Sequence, residues 1–251
     1  MKKRRGRREL LVAAVALVAG GAALLFHLGF VRFNYPSHLA YPVRGFDVSH
    51  HQGRIDWARV AGPEAAFVFI KATEGATHKD TEFPANWDAA GRAGIVRGAY
   101  HYFTFCGSGL AQAENFIAAV PPSPDMLPPA VDVEYSDQCA APPPIETIRS
   151  ELAVLVSRLE QVYACKAILY VTRESERDFV AGRFEGHPIW ARNVWWRPRL
   201  SGGRRWTFWQ FADHGRLEGI DGRVDLNLFA GSHKTLEGLL LPIPPAAAPL
   251  P

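Results

Sequence analysis

Short apolar segments alternate with amphipathic stretches along most of the chain, and this alternation restricts the possible fold more than any other feature. The apolar segments are rich in β-branched and aromatic residues and lie at residues 67–70, 96–103, 129–134, 167–172 and 188–191. The stretches between them carry apolar residues at helical spacing and lie at residues 84–93, 109–120 and 147–163. Strands that alternate with helices predict an α/β fold with a largely parallel sheet. Two late strands, at residues 207–211 and 224–229, follow glycine-rich turns and predict a more antiparallel ending.

The N-terminus has the pattern of a membrane-spanning segment. Six basic residues at positions 2–8 precede an apolar run over residues 10–31, which only His27 interrupts. About 22 apolar residues can cross a hydrocarbon core of roughly 30 Å, and flanking basic residues stay in the cytoplasm. We therefore predict a single-pass transmembrane helix in the inner (cytoplasmic) membrane, with the rest of the chain in the periplasm or cell-wall space. The alternative is a cleaved signal peptide, which has a shorter apolar run and a small-residue cleavage site.

The distribution of charge argues against nucleic acid as a partner. The formal net charge is +3, but six of the 28 basic residues lie before Glu9, so the rest of the chain is slightly acidic. A nucleic-acid-binding domain needs a broad basic face. We expect five segments along the chain: a basic cytoplasmic segment (1–9), the membrane anchor (10–31), a spacer (32–42), one large folded domain (43–233) and a tail rich in proline and alanine (234–251).

Two carboxylates lie close together on one predicted strand. Residues two apart on a strand face the same side, so in Val131-Asp132-Val133-Glu134 the valines face one side while Asp132 and Glu134 face the other. Close carboxylates raise one another's pKa, which keeps one of them protonated and able to donate a proton near neutral pH. An acid beside a second carboxylate is the machinery of glycoside hydrolysis. A lone Asp-x-Glu more often ends a strand and forms a surface ion pair. The choice between a surface ion pair and a catalytic pair therefore depends on other residues of the chain.

Other side chains are placed to join this pair. Asp47 ends an earlier predicted strand and Asp225 lies in a late one. In a barrel, carboxylates at the carboxyl ends of different strands converge on one mouth. Aromatic residues that could stack on sugar rings belong to three further strands: Tyr100, Tyr102 and Phe103 to one, Trp190 to another and Trp209 to a third.

The histidine and cysteine patterns predict no metal site. His50 and His51 are adjacent, so on a strand their rings would face opposite sides, and no third ligand lies at a suitable spacing. Cys106, Cys139 and Cys165 include no Cys-x-x-Cys pair. In an exported domain, three cysteines predict one disulfide and one buried free thiol.

Seven short segments carry the most specific pattern in the chain. They are GFDVS at 45–49 (followed by Gln52), FIKATEG at 69–75, GAYHYF at 98–103, VDVE at 131–134, IW at 189–190, WQ at 209–210 and VDLN at 224–227. In type and order they resemble the glycoside hydrolase family 25 lysozymes, the Chalaropsis-type muramidases. The resemblance spans about residues 43–230.

This resemblance implies a fold, an activity and a set of site residues. The fold is a modified TIM-like (β/α)5β3 barrel, and the activity is cleavage of the β-1,4 bond between N-acetylmuramic acid and N-acetylglucosamine in the glycan strands of peptidoglycan. Glu134 becomes the proton donor, and Asp132 its partner, which orients the substrate's 2-acetamido group as an internal nucleophile. Asp47 holds substrate or tunes the acid. The implied substrate-binding residues are Asp225, Tyr100, Tyr102, Trp190, Trp209 and Gln210, and no cofactor is implied.

The same resemblance bears on the cysteines. Cys106 and Cys139 follow adjacent strands of the implied barrel and are expected to form the disulfide, whereas Cys165 precedes a strand at the opposite end of the sheet and stays free. A loop pinned by this disulfide would narrow the groove.

Two other functions remain open from the sequence. One is a glycosidase that acts on another N-acetylated glycan such as chitin, and the other is a non-catalytic peptidoglycan-binding module. The presence of all four carboxylates favours an enzyme, because a binding module has no use for a paired buried acid.

Overall fold

The chain divides after Tyr35 into two compact units in the computed structural model, which describes residues 2–27, 34–60, 62–135 and 139–242. Helix α1 (Lys2–His27) belongs to the first unit, and its part Gly6–Leu25 is long and apolar enough to cross a membrane by length and composition. The helix begins earlier than the predicted segment 10–31, because lysine and arginine are good helix formers and the basic cluster extends it. Residues 28–31 of that segment lie outside the described residues.

Within the described residues, nine strands form one sheet that closes on itself. The strands are β1 (Arg44–Val48), β2 (Phe67–Glu74), β3 (His78–Lys79), β4 (Val96–Tyr102), β5 (Ala130–Val133), β6 (Ile168–Val171), β7 (Ile189–Arg192), β8 (Phe208–Gly215) and β9 (Val224–Phe229). The sheet order is β1-β9-β8-β7-β6-β5-β4-β2-β3, and a further pairing of β1 with β2 closes an eight-stranded barrel. In the barrel, β1, β2 and β4 to β8 form parallel pairs, whereas β9 runs antiparallel to both β8 and β1. The two-residue strand β3 pairs antiparallel with β2 outside the closed barrel. The predicted barrel with an antiparallel ending is therefore confirmed.

Helices cover the outer wall where the chain crosses between parallel strands. They are α2 (Phe83–Arg92), α3 (Gly109–Ala119), α4 (Ile145–Tyr163) and α5 (Arg173–Ser175), which continues into a π-helical turn (Glu176–Val180). Helix α4 starts two residues before the predicted position, directly after Pro144, whose fixed φ suits a helix entry. The crossing from β1 to β2 contains a 3-10 turn (His50–Gln52) instead of an α-helix, and the buried side chains of Ile55, Trp57 and Val60 cover the wall there.

The alternation of side chains along the strands produces two apolar layers. One cluster fills the barrel and includes Phe67, Phe69, Tyr170, Trp190 and Phe208. The other lies between the barrel and the helices and includes Val131 and Val133 of β5, as the spacing of two in the sequence predicts.

A short helix that begins at residue 233, the expected end of the folded domain, also packs against the barrel. Helix α6 (His233–Glu237) places Leu236 in the cluster that fills the barrel. The Leu241 amide donates to the Met126 carbonyl, at the end of the barrel where β5 begins. Residues 234–241 therefore belong to the packed unit, and residues 243–251 of the expected tail lie outside the described residues.

The expected disulfide joins the segments that follow β4 and β5. The Cα atoms of Cys106 and Cys139 are 5.8 Å apart and the two residues form a disulfide, while Cys165 is free. The expected pairing is confirmed. The prediction that the free thiol is buried is wrong, because Cys165 lies in the turn between α4 and β6 and is partly exposed.

A buried histidine supports the segment that carries Cys106. The ring of His101 on β4 lies 2.7 Å from the Thr73 hydroxyl and 3.1 Å from Gln112 Oε1. Gln112 in turn accepts from the Thr104 amide and donates to the carbonyls of Thr104 and Gly107. Burial lowers the pKa of His101 to about 4, so its ring is neutral at physiological pH.

This histidine makes stability dependent on pH. Its pKa is lower in the folded state than in the unfolded chain, so stability is full above about 6.5 and falls as pH drops toward about 4. The wild type should lose roughly 3 kcal/mol of unfolding free energy over that range relative to His101→Gln. Urea unfolding of the full chain in detergent at pH 7 and pH 4 measures the difference. His233→Gln, at an exposed position, serves as the control and should follow the wild type. Parallel pH curves for wild type and His101→Gln would contradict the prediction.

Candidate active site

Four carboxylates come together at one end of the barrel. Asp132 lies on β5 and Glu134 directly follows that strand, at the carboxyl end of the parallel strands. Asp47 lies near the end of β1 and pairs in register with Asp225 near the start of β9. Because β9 is antiparallel, its beginning lies at the same edge where β1 and β5 end. The four acidic residues proposed from the sequence therefore share one mouth.

Asp47 is held by two side-chain amides. Asn227 Nδ2 donates to Asp47 Oδ2 at 2.7 Å, and Gln210 Nε2 donates to the same oxygen at 2.9 Å. Gln210 Nε2 also lies 3.2 Å from Asp225 Oδ2, and the Tyr170 hydroxyl donates to Gln210 Oε1 at 3.0 Å. The Tyr170 contact orients the Gln210 amide, so that its nitrogen faces the two carboxylates.

The pKa values of these carboxylates are raised. Burial, then the charge of Asp225, raises the pKa of Asp47 well above its ordinary value, although the two amides oppose the shift. Burial raises the pKa of Asp225 to about 6, against the opposing charge of Arg192. Burial, followed by the charge of Glu134, also raises the pKa of Asp132. The cluster therefore retains protons at pH values where exposed carboxyls are ionised.

Glu134 directly follows β5 and is partly exposed, as are Asp47 and Asp225, whereas Asp132 is buried. Burial raises the pKa of Glu134, and three neighbours oppose the rise: the charge of Arg192, a hydrogen bond from Tyr102 and the charge of Lys71. Lys71 Nζ is also 2.5 Å from Glu74 Oε2 and 4.9 Å from the centre of the Tyr102 ring. Glu134 thus combines access to the groove with a pKa above that of an ordinary glutamate.

Asp132 is more deeply buried and has one oxygen with unused hydrogen-bonding capacity. Within the part of the chain that the structure describes, its Oδ1 has no hydrogen-bond partner, and the residue is 8% exposed. A buried acceptor without a donor is unfavourable unless it is protonated or a ligand supplies the donor. Next to an acid at the groove, this oxygen is suited to accept an N–H from a bound substrate.

Three of the expected substrate-binding residues lie at or below the mouth of the barrel. Gln210 is buried and bridges Asp47 and Asp225. Tyr100 is buried inside the barrel, where burial and the charge of Asp47 raise its pKa. Tyr102 lies at the mouth beside Glu134.

The sugar-stacking role expected of Trp190 and Trp209 is wrong, because both rings are buried. Trp190 is stacked on Phe69 inside the barrel at a centroid distance of 4.3 Å, and its Nε1 donates to Asn227 Oδ1 at 2.7 Å. Trp209 lies in the outer layer against Trp206, and its Nε1 donates to the Asn193 carbonyl. Trp190 therefore positions Asn227 of the site, and Trp209 fixes the segment that follows β7.

The expectation for His50 and His51 is corrected as well. They lie in a 3-10 turn and not on a strand, so their ring centroids are only 4.0 Å apart. His50 Nδ1 contacts Asp80 Oδ2 at 2.8 Å. Burial and the charge of His50 lower the pKa of His51. Over the four described ranges, no group of three or more His, Cys, Asp or Glu side chains has the arrangement of a metal site.

Sequence reasoning did not assign four residues that complete the site. Arg192 and Lys71 supply its positive charge, while Tyr170 and Asn227 position the amide and the carboxylate of their neighbours. A signal was present for Arg192, because it lies two residues after the interior residue Trp190 and must face the same side of β7.

Comparison with known proteins gives one family. Glycosyl hydrolases family 25 matches residues 46–220. The chain is 35% identical to the uncharacterized protein YegX of Escherichia coli K12, over 80% of this chain and 74% of that protein. It is 34% identical to lysozyme M1 of Streptomyces globisporus, over 78% of this chain and 71% of that protein. The structure of a family 25 glycosyl hydrolase from Bacillus anthracis superposes with a TM-score of 0.76 at 37% identity, and covers 82% of this chain and 96% of its own. This chain, with its eight-stranded barrel and its four carboxylates at one mouth, belongs to glycosyl hydrolases family 25.

Proposed function

We propose that this chain is a muramidase that hydrolyses the β-1,4 bond between N-acetylmuramic acid and N-acetylglucosamine in peptidoglycan, with Glu134 as the proton donor. The observation that carries the proposal is the position of Glu134. It directly follows β5 at the mouth, next to the buried Asp132, it is partly exposed to the groove, and burial raises its pKa. A carboxyl group with a raised pKa keeps its proton to a higher pH and can protonate the leaving oxygen of a glycosidic bond.

Asp132 has the complementary role in this mechanism. Its Oδ1 accepts the N–H of the substrate's 2-acetamido group, which directs the acetamido oxygen at the anomeric carbon. As the Glu134 proton moves to the glycosidic oxygen, the bond from the anomeric carbon to that oxygen breaks and the acetamido oxygen forms a bond to the anomeric carbon. Glu134, now ionised, then takes a proton from the water that opens this intermediate and returns to its starting state.

Asp47 and Asp225 support this chemistry from the wall of the groove. The amides of Gln210 and Asn227 fix the position of Asp47. Asp225, with a pKa of about 6, is ionised near neutral pH, and its negative charge stabilises the positive charge that develops on the sugar ring in the transition state. Tyr102, which donates to Glu134, holds the acid in place.

The N-terminal helix supports a proposed location for this activity. We infer that α1 anchors the chain in the inner membrane, with the barrel on the side of the cell wall. At about 1.5 Å per residue, the 20 residues of its apolar part Gly6–Leu25 extend for roughly 30 Å, about the thickness of the hydrocarbon core. An anchored hydrolase acts on the wall above its own membrane.

The role of Glu134 predicts a large loss of activity in Glu134→Gln. The amide has nearly the same volume but has no proton to donate, so hydrolysis of purified peptidoglycan should fall by about 10²–10⁴-fold while the fold is retained. Glu185→Gln, at an exposed position in the turn before β7, is the matched control and should keep wild-type activity. Retention of activity within about tenfold in Glu134→Gln would remove Glu134 from this role.

Mass analysis of the products separates the remaining alternatives. A muramidase leaves N-acetylmuramic acid at the new reducing end. Cleavage of chitin oligomers in preference to peptidoglycan would indicate a different substrate. Binding of peptidoglycan without any new reducing ends would indicate a binding module.

The proposed anchor predicts that the full chain stays in the membrane fraction and that its barrel is digested when protease is added to spheroplasts. Protection of the barrel from protease would place it in the cytoplasm and contradict the topology. A soluble protein whose N-terminus lies beyond residue 31 would show that the segment is a cleaved signal.

A further inference from the structure

The connection from β7 to β8 leaves a large cavity against the outer wall of the barrel. Residues 193–207 contain only a short 3-10 turn (Ser201–Gly203) within this described stretch, whereas helices cover the crossings that follow β4 and β5. The cavity has a volume of about 1190 Å³. It extends from Thr172 and Arg192, at the carboxyl ends of β6 and β7, to Trp206 just before β8.

Six arginines line this cavity, and none of the described residues that line it is acidic. They are Arg173, Arg192, Arg197, Arg199, Arg204 and Arg205. So many like charges around one cavity repel one another unless an anion is bound among them.

Only some of these arginines have a partner in the protein. Arg204 donates to the carbonyls of Phe184 and His187, and Arg197 lies over the Trp206 ring, 5.7 Å from its centre. Arg192 reaches Asp213 at 3.4 Å. The exposed residues Arg173, Arg199 and Arg205 form no ion pair with any residue in the described part of the chain. Their guanidinium groups are therefore available to a ligand.

The cavity begins at the catalytic mouth. Val133, Val171 and Ala191 are aligned across β5, β6 and β7. Glu134 and Arg192 each follow an aligned residue by one position, so they lie at the same level of the barrel. Arg192 both lines the cavity and interacts electrostatically with Glu134. A substituent on a sugar bound at Glu134 can therefore extend directly into the cavity.

The wall of the cavity is not only basic. Asn193 Oδ1 accepts from the amides of Trp195 and Trp196, which fixes the turn that places Trp196 at the cavity. Trp206 provides a second aromatic side chain deeper along the wall. The arrangement suits an extended ligand with both carboxylates and apolar groups.

We propose that this cavity binds the carboxylates of the peptide stem attached to the N-acetylmuramic acid residue, so that the enzyme prefers peptide-bearing glycan strands over bare ones. The inference rests on the proposed muramidase function. The stem starts from the sugar whose bond is cleaved, is extended, and carries several carboxylates, which guanidinium groups bind in a bidentate manner. A lipid headgroup has no such connection to the catalytic mouth.

The test compares two substrates with the full-length enzyme in detergent. One is purified peptidoglycan with its stems, and the other is the same glycan after an amidase has removed the stems. The wild type should have a KM at least about fivefold lower for the peptide-bearing glycan, since exposed ion pairs contribute modestly but several act together. In Arg199→Gln/Arg205→Gln this ratio should fall to about one. The control Arg92→Gln/Lys234→Gln removes the same charge at exposed positions outside the cavity and should keep the wild-type ratio.

The outcomes separate this inference from the proposed function. Equal KM values for both substrates in the wild type, or an unchanged ratio in the double variant, would overturn the inference while leaving the muramidase activity intact. Loss of binding to phosphatidylglycerol vesicles in the double variant with no change in the ratio would also overturn it, in favour of a lipid ligand. If the wild type cleaves neither substrate, the proposed function itself fails.

Discussion

The hydrogen bonds from Gln210 and Asn227 to the partly buried carboxylate of Asp47 are the interaction on which the rest of the site depends. Burying a carboxylate is costly unless donors compensate it. The hydrogen bonds from these two amides lower the pKa of Asp47, but burial and the charge of Asp225 outweigh them, so its pKa stays well above the ordinary value. A salt bridge to Asp47 would have removed this rise in its pKa. The positive charges of Arg192 and Lys71 instead act on Glu134 and Asp132.

The features that depend on local periodicity were predictable from the sequence. The spacing of two in Val131-Asp132-Val133-Glu134 placed the valines against the helices and Asp132 toward the site. The alternation of strands and helices predicted parallel neighbours, and parallel strands bring their carboxyl ends to one mouth. Asp47 and Asp225 met there because a late antiparallel strand starts where the first strand ends. The order of the seven short segments then indicated the family.

The features that depend on three-dimensional packing were not predictable. An indole on a strand can stack on a ligand or fill the core. Only the folded structure shows that Trp190 stacks on Phe69 inside the barrel. The same holds for His50 and His51. Their rings lie close together, and not on opposite sides of a strand, because the chain turns after β1. A shift in register between β2 and β4 near Lys71 has no signal in the sequence, although Lys71 belongs to the site. The basic cavity was not predictable, because the sequence does not show that the connection from β7 to β8 lacks an α-helix.

The central claim is that burial at the barrel mouth keeps a proton on Glu134 when ordinary glutamates have lost theirs. The most direct measurement is NMR titration of the full-length enzyme with ¹³C-labelled glutamate side-chain carboxyls, with the Glu134 signal identified by its absence in Glu134→Gln. The account predicts that Glu134 titrates above the ordinary glutamate pKa of about 4.3. Since the charge of Arg192 lowers the pKa of Glu134, Arg192→Gln should move the midpoint higher still. A midpoint at or below the ordinary value in the wild type would contradict the account.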